Sequence, residues 1–476
     1  MNTRSQSPGR GEAALLLSFR PGITVEEDSL GRLSLVDARG GAEHLADPSP
    51  VLREVVSRLG HGATEAEVAA AAEATGDPLA LPTAYFQLDQ WRARGVLAEA
   101  IEDHGAVLAT AIPIREGWRH AGPLPPPAGT VLSRFALFYR DGGATILESP
   151  LANCRLLLNG RVAGGLLSAF GETWAADALA AACGVSRGAA ALLADLLWRC
   201  GFTVPAGVED PQLATWELPD LLLHARSRGR GRRGGTYRFA GTLEPPPVTR
   251  PRHPGDPIPL HRPGTPANGG GPSFADTLER RRTVRVHDGL ITAAQIGELL
   301  FRAARVKSIM PSRADPAFDT SRRPYPSGGA CYPLELYLTV GTCDGLASGL
   351  YHYEPLEHEL TRLAAPSDQL REMLHAAGAA TGRALQPQLL VTLTARFART
   401  SWKYEGTAYA LILTEAGALL QTLYLVATAM DLAPCALGTG DADAFAEVSG
   451  LPYLTEGAVG ECLLGACAPQ ILQAER

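Results

Sequence analysis

Of the 43 basic residues in this 476-residue chain only two, Lys307 and Lys403, are lysine. In a chain that otherwise uses arginine, a lysine stands either by chance or where an amine is chemically needed. Guanidinium stays protonated, whereas burial can bring an amine into the working pH range. Lys403 sits in Ser401-Trp402-Lys403-Tyr404-Glu405, beside a phenol. A phenol of pKa about 10 is a poor base at neutral pH unless a nearby cation favours phenolate. Lysine can be that cation or, desolvated, the base itself, so Lys403 and Tyr404 together point to proton abstraction. Neighbours on a regular helix point apart, which predicts a non-helical segment here. Lys307 has no such context and reads as a surface lysine.

Three further stretches could hold a ligand. Arg280 to Arg285 places four guanidiniums and the Thr283 hydroxyl in six residues, a set able to clamp a phosphate. Pro326-Ser327-Gly328-Gly329 lets backbone approach a flat ligand and present its N–H groups, or makes a tight turn before the strand that follows. Leu437-Gly438-Thr439-Gly440 follows a long apolar helix expected over 407–430.

These residues need elements to position them. Thr292 is the expected N-cap of a helix whose apolar face is Ile296, Leu299 and Leu300. Residues 334–340 alternate like a strand, 349–353 open a hairpin, and 388–394 read as a buried strand. At 50.2 kDa the chain exceeds one ordinary core, and 46% hydrophobic with 20% charged residues describes a globular protein. A net charge of −7 argues against a nucleic-acid partner. Eight scattered cysteines form no CxxC pair, so reduced thiols and no metal site are expected. Residues 1–10 carry no signal-peptide pattern, making a cytoplasmic location the expectation. The apolar stretch 409–437 is interrupted by Glu415, Gln421 and Asp431, so no membrane span is expected.

The Pro- and Gly-rich segment 245–273 reads as a linker or extended arm. Upstream, one pattern occurs twice: a β-rich opening (23–36, then 134–147), three helices, and a last helix closing on Gly95 or Gly201 before a short apolar strand. Each copy resembles the PqqD-like, winged-helix-like domains that recognise leader peptides by strand addition. Plain helical scaffolds for dimerisation are the alternative. The Arg-rich run at 226–233 is either a solvated face or a contact for an acidic leader. The expected layout is winged-helix-like units at 1–105 and 106–210, a connector at 211–272, and a catalytic domain at 273–476.

Taken in order, Arg281-Arg282-Thr283-x-Arg285, Pro326-Ser327-Gly328-Gly329-Ala330-x-Tyr332-Pro333, Gly349-Leu350-Tyr351-His352-Tyr353, Lys403-Tyr404-Glu405 and Leu437-Gly438-Thr439-Gly440 resemble the SagB-type azoline dehydrogenases, the McbC and ThcOx group. The resemblance covers about residues 273–468. It implies an α+β architecture: a C-terminal nitroreductase-like domain with a mixed sheet wrapped by helices, dimeric and FMN-binding, preceded by two winged-helix-like units. Carried over, Arg281, Arg282, Thr283 and Arg285 would hold the phosphate and ribityl end. Pro326, Ser327, Gly328 and Gly329 would line one ring edge. Leu437, Gly438, Thr439 and Gly440 would offer backbone donors near N5 and O4, and Lys403 and Tyr404 would be catalytic. The implied reaction oxidises thiazolines or oxazolines to azoles in an azoline-containing precursor peptide, after a cyclodehydratase has closed the rings, with O2 reoxidising the flavin. The alternatives are an NAD(P)H-dependent FMN nitro or quinone reductase, and a non-catalytic subunit presenting peptide within a cyclodehydratase complex.

Overall fold

The sequence Leu334–Val340 alternates, yet every one of its residues is buried. The reason is a layer of helices on each face of one sheet. Leu334, Leu336, Leu338 and Val340, with Leu389, Val391, Leu393 and Ala395 from the strand Leu389–Arg396, meet the helices Ala293–Ala304 and Ala408–Ala429. On the opposite face, Tyr337 packs with Leu370 and Phe445, and Leu390 with Ala377. These come from the helices Asp368–Ala379 and Ala442–Ser449. The computed structural model describes residues 13–37, 42–45, 48–114, 129–169, 171–173, 175–208, 210–228, 235–264, 271–383 and 385–467.

Contacts divide the chain into two compact units, Met1–Arg232 and Arg233–Arg476. The second holds a seven-stranded sheet in the order Pro257–Pro259, Glu359–Ala364, Gly349–Glu354, Leu334–Val340, Leu389–Arg396, Glu456–Ala466, Leu432–Leu437. All six pairings are antiparallel, where a mixed sheet was expected. Thr292 caps its helix as the sequence predicts, in a reciprocal box with Gln295. The helix Ala408–Ala429 is long and apolar enough to cross a membrane, but its stripe from Ile412 through Leu419 to Ala427 is buried in this core.

The segment expected as a connector is, from residue 235 to 264, part of the second unit. Its Pro-rich backbone cannot sustain a ladder, so its carbonyls find side-chain donors instead. Trp402 Nε1 donates to Leu243 O at 2.9 Å, Arg399 to Pro246 O at 2.8 Å, and Arg396 to Pro247 O at 2.8 Å. Arg250 pairs with Glu456 at 2.9 Å, and Pro257–Pro259 then adds an edge strand, the position where proline is tolerated.

In the first unit the two copies share element order and pairing. The hairpin Ile23–Glu27 with Leu33–Asp37 precedes helices Pro50–His61, Glu65–Glu73 and Ala80–Ala93. The hairpin Leu137–Asp141 with Ala144–Glu148 precedes helices Gly160–Ser168, Ala176–Cys183 and Arg187–Arg199. Gly95 (φ 67°) and Gly201 (φ 80°) end the third helices in the left-handed conformation. The strand that follows pairs back on the opening strand of its own copy, Leu97–Asp103 on Ala13–Phe19 and Thr203–Pro205 on Thr130–Leu132. The copies also share one six-stranded sheet through Ala106–Pro113 and Cys154–Leu158, so they make a single compact unit. In the Arg-rich run, Arg226 pairs with Glu148 at 2.8 Å. Its residues 229–233 lie outside the described residues.

Candidate functional site

Residues 402–407 separate the helix Phe397–Ser401 from the helix Ala408–Ala429, and Lys403 and Tyr404 lie in the non-helical bend between them. The bend is pinned from below. Trp402 is buried, stacked on Phe318 at 5.5 Å and edge-on to Tyr237 at 5.8 Å. Fully buried Arg399 lies 3.9 Å over the Phe318 ring and donates to the carbonyls of Cys331, Pro246 and Asp319. Burial lowers its pKa to about 10.

Above this base the two side chains converge. Lys403 Nζ donates to Gly329 O at 3.1 Å. It lies 5.4 Å from the ring centroid of Phe318, 5.7 Å from that of Tyr237 and 5.6 Å from that of Tyr404. Aromatic faces at such distances stabilise an ammonium. Burial pushes the Tyr404 phenol up and the Lys403 charge pulls it back.

Gly329 makes this convergence possible. It has φ 59°, and a Cβ there would lie 2.2 Å from Tyr404 Oη and 2.8 Å from Lys403 Nζ. Ala330 and Tyr332 also adopt positive φ, so the turn stores strain. Ser327 holds the turn: its Oγ accepts from Tyr332 N at 2.8 Å and donates to Glu415 Oε2 at 2.5 Å. Burial raises Glu415 to about 7, against that hydrogen bond and the Arg323 charge, and its Oε1 has no hydrogen-bond partner among the described residues. Gly328 faces Leu411, one turn earlier on the same helix.

The arginine cluster is split by its extended backbone. Arg281 lies 5.7 Å from the Tyr424 ring centroid, Thr283 Oγ1 is 3.0 Å from Tyr424 Oη, and burial raises the Cys435 thiol while the Arg285 charge pulls it back. Arg282 faces the other way, into a cavity of about 720 Å³ shared with Asp276, Glu279 and Asp431. Tyr424 Oη also accepts from Ala436 N at 2.8 Å, next to Leu437. The helix Ala408–Ala429 thus carries Glu415 under the glycine turn and, about 13 Å further along its axis, Tyr424 under Thr283. Leu437, Thr439 and Gly440 border a second cavity, while Gly438 has no neighbour within 4 Å of a built Cβ. Pro326 precedes Ser327 and is exposed. Lys307 is exposed, as its sequence context predicts.

Sequence reasoning missed Arg399, Phe318, Tyr237 and Tyr424. Glu415 stood in plain view as the one carboxylate inside an apolar helix, a signal for a buried role.

The Nitroreductase family model matches residues 278–465. A protein of Methanocaldococcus jannaschii named as a nitroreductase, MJ1384, is 30% identical over 164 residues, covering 34% of this chain and 77% of its own. The chain belongs to the nitroreductase family. Within it, the Microcin B17-processing protein McbC of Escherichia coli is 32% identical over 131 residues, 26% of this chain and 47% of McbC. The Trifolitoxin-processing protein TfxB of Rhizobium leguminosarum bv. trifolii is 32% identical over 85 residues, 17% of this chain and 23% of TfxB. The chain therefore spans under half of either processing protein. The model for Cyanobactin oxidase ThcOx matches residues 130–233, almost all in the first unit and upstream of the Nitroreductase match.

Proposed function

We propose that this nitroreductase-family chain is an FMN-dependent oxidoreductase that converts azolines to azoles in a ribosomally made precursor peptide. The observation that carries the reading is the meeting of Lys403 Nζ and Tyr404 Oη at Gly329. Peptide as substrate is supported by the names of McbC and TfxB, both processing proteins, and by the ThcOx match in the first unit.

The donor set fits FMN. Arg281, Thr283 and Arg285 share one side of an extended run, suited to the phosphate and ribityl end. At the other end Ser327, Gly328 and Gly329 form a turn without large side chains, with Glu415 Oε1, unpartnered among the described residues, beneath it. The backbone of Leu437, Gly438, Thr439 and Gly440 would complete the ring site. Arg282 is withdrawn from this set and would serve the neighbouring cavity.

FMN bound there supplies a hydride acceptor, which O2 restores. The chain's residues handle the proton. The Lys403 ammonium, held by Gly329 O and the Phe318 and Tyr237 faces, lowers the cost of phenolate at Tyr404. Tyr404 Oη then removes the ring proton from the carbon adjacent to the one losing hydride, since aromatisation takes one of each from neighbouring atoms. The buried base of Trp402 and Arg399 fixes both groups against the turn. A second copy of the chain would cover the strip on the helix Ala408–Ala429 where Tyr409 and Leu413 stand exposed, and a cyclodehydratase would supply the azolines.

The test is the purified protein with an azoline peptide. The expected result is a yellow protein with a flavin spectrum and a loss of two hydrogens per ring converted, without NAD(P)H. A colourless protein, or a yellow one that reduces quinones with NADPH and leaves azolines untouched, contradicts the proposal.

A further inference from the structure

On the face of the seven-stranded sheet away from the helix Ala408–Ala429, a cavity of about 330 Å³ lies between the helices Asp368–Ala379 and Ala442–Ser449. Its walls include Met373 and Leu390, and four carboxylates line it: Glu372, Asp441, Glu447 and Glu461. No lysine, arginine or histidine is among the lining residues, in a chain with 43 basic residues. Like charges gathered without a cation oppose one another.

Three of these carboxylates are accounted for. Asp441 caps the helix Ala442–Ser449, accepting from Ala444 N at 2.9 Å, and Glu372 and Glu447 are exposed to water. Glu461 is different. It is 7% exposed, and no described residue donates a hydrogen bond to its carboxylate. A Cβ at Gly440 would lie 3.1 Å from its carboxyl carbon, so the 437–440 loop passes close over the carboxylate. Burial, with the Asp441 charge behind it, raises Glu461 to about 7, the mark of a carboxylate short of a counter-ion. Among the described residues no group of His, Cys, Asp or Glu has a metal-holding arrangement, and the aliphatic walls suit a carbon stem better than a hydrated ion.

We propose that this cavity binds an alkylammonium group, its nitrogen against Glu461 and its stem along Met373 and Leu390. The volume matches a small-ligand site with an apolar body and few polar anchors. A lysine side chain of a peptide and a free aliphatic amine share this chemistry. The site includes neither Lys403 nor Tyr404, has the loop residues Leu437, Thr439 and Gly440 on its border, and holds whether or not the chain oxidises azolines.

The experiment is calorimetric titration of the full-length protein, cofactor retained, with n-pentylammonium as probe and 1-pentanol as its neutral counterpart. Saturable binding of the ammonium is expected, with pentanol at least about tenfold weaker and Glu461→Gln weakening the ammonium by about tenfold or more. Ala376→Leu narrows the cavity from an exposed helix position and should block the probe too, which keeps the test valid if Glu461→Gln fails to fold. Spermidine and N-acetyl-lysine methylamide then distinguish the sources, the tighter one naming the occupant. No saturable ammonium binding, equal binding of pentanol, or an ammonium affinity unchanged in both variants overturns the proposal.

Discussion

Tyr404 Oη occupies the space that a side chain at Gly329 would fill, since a Cβ built there lies 2.2 Å from it. The glycine turn and the Lys403–Tyr404 bend are therefore one steric unit. Gly329→Ala should displace the phenol and strain a backbone held at φ 59°. Turnover of an azoline peptide is expected to fall about 100-fold, the lower range for losing a positioned base, with flavin still bound. Wild-type turnover in this variant would separate Gly329 from the chemistry.

Lys403 Nζ sits among the rings of Tyr237, Phe318 and Tyr404. Lys403→Arg preserves charge and should keep roughly a tenth of the activity, whereas Lys403→Ala should lose about 1,000-fold. Equal loss in both variants would identify the amine itself as the base. Steady-state rates on one peptide suffice to decide.

Arg399 carries stability. Replacing it with Met leaves the carbonyls of Cys331, Pro246 and Asp319 without a donor in a buried site. A loss of about 3 kcal/mol is expected in denaturant unfolding of the C-terminal unit. A change below about 1 kcal/mol would mean that the strap is held without it.

Glu415 links stability to pH. Its carboxyl titrates near 7 in the folded chain against 4.5 for an ordinary one, so the folded state binds the extra proton between those values. Stability from this group is fully present below about pH 4.5 and falls as pH rises to about 7, by at most about 3 kcal/mol. Glu415→Gln should flatten that part of the stability profile. Unfolding midpoints of the two proteins at pH 5 and pH 8 measure it, and parallel profiles would refute the assignment.

What the sequence shows and hides follows from range. Capping by Thr292, the left-handed glycines 95 and 201, and the duplicated order of the first unit depend on neighbours a few positions away, and all are legible. The non-helical bend at Lys403 was legible for the same reason. Arg399, Phe318 and Tyr237 are brought together only by the fold, and nothing local marks them. The proline-rich segment misleads because its backbone order comes from Trp402, Arg399 and Arg396, far along the chain. Alternation within the arginine cluster, which turns Arg282 away from Thr283, requires knowing that the run is extended.

The most direct test of the central claim is the visible spectrum of Tyr404→Phe mixed anaerobically with an azoline peptide. Wild-type protein should bleach as rings are oxidised, while the variant should stay yellow, its flavin bound and unreduced. Bleaching of Tyr404→Phe at the wild-type rate would show that the proton leaves by another route.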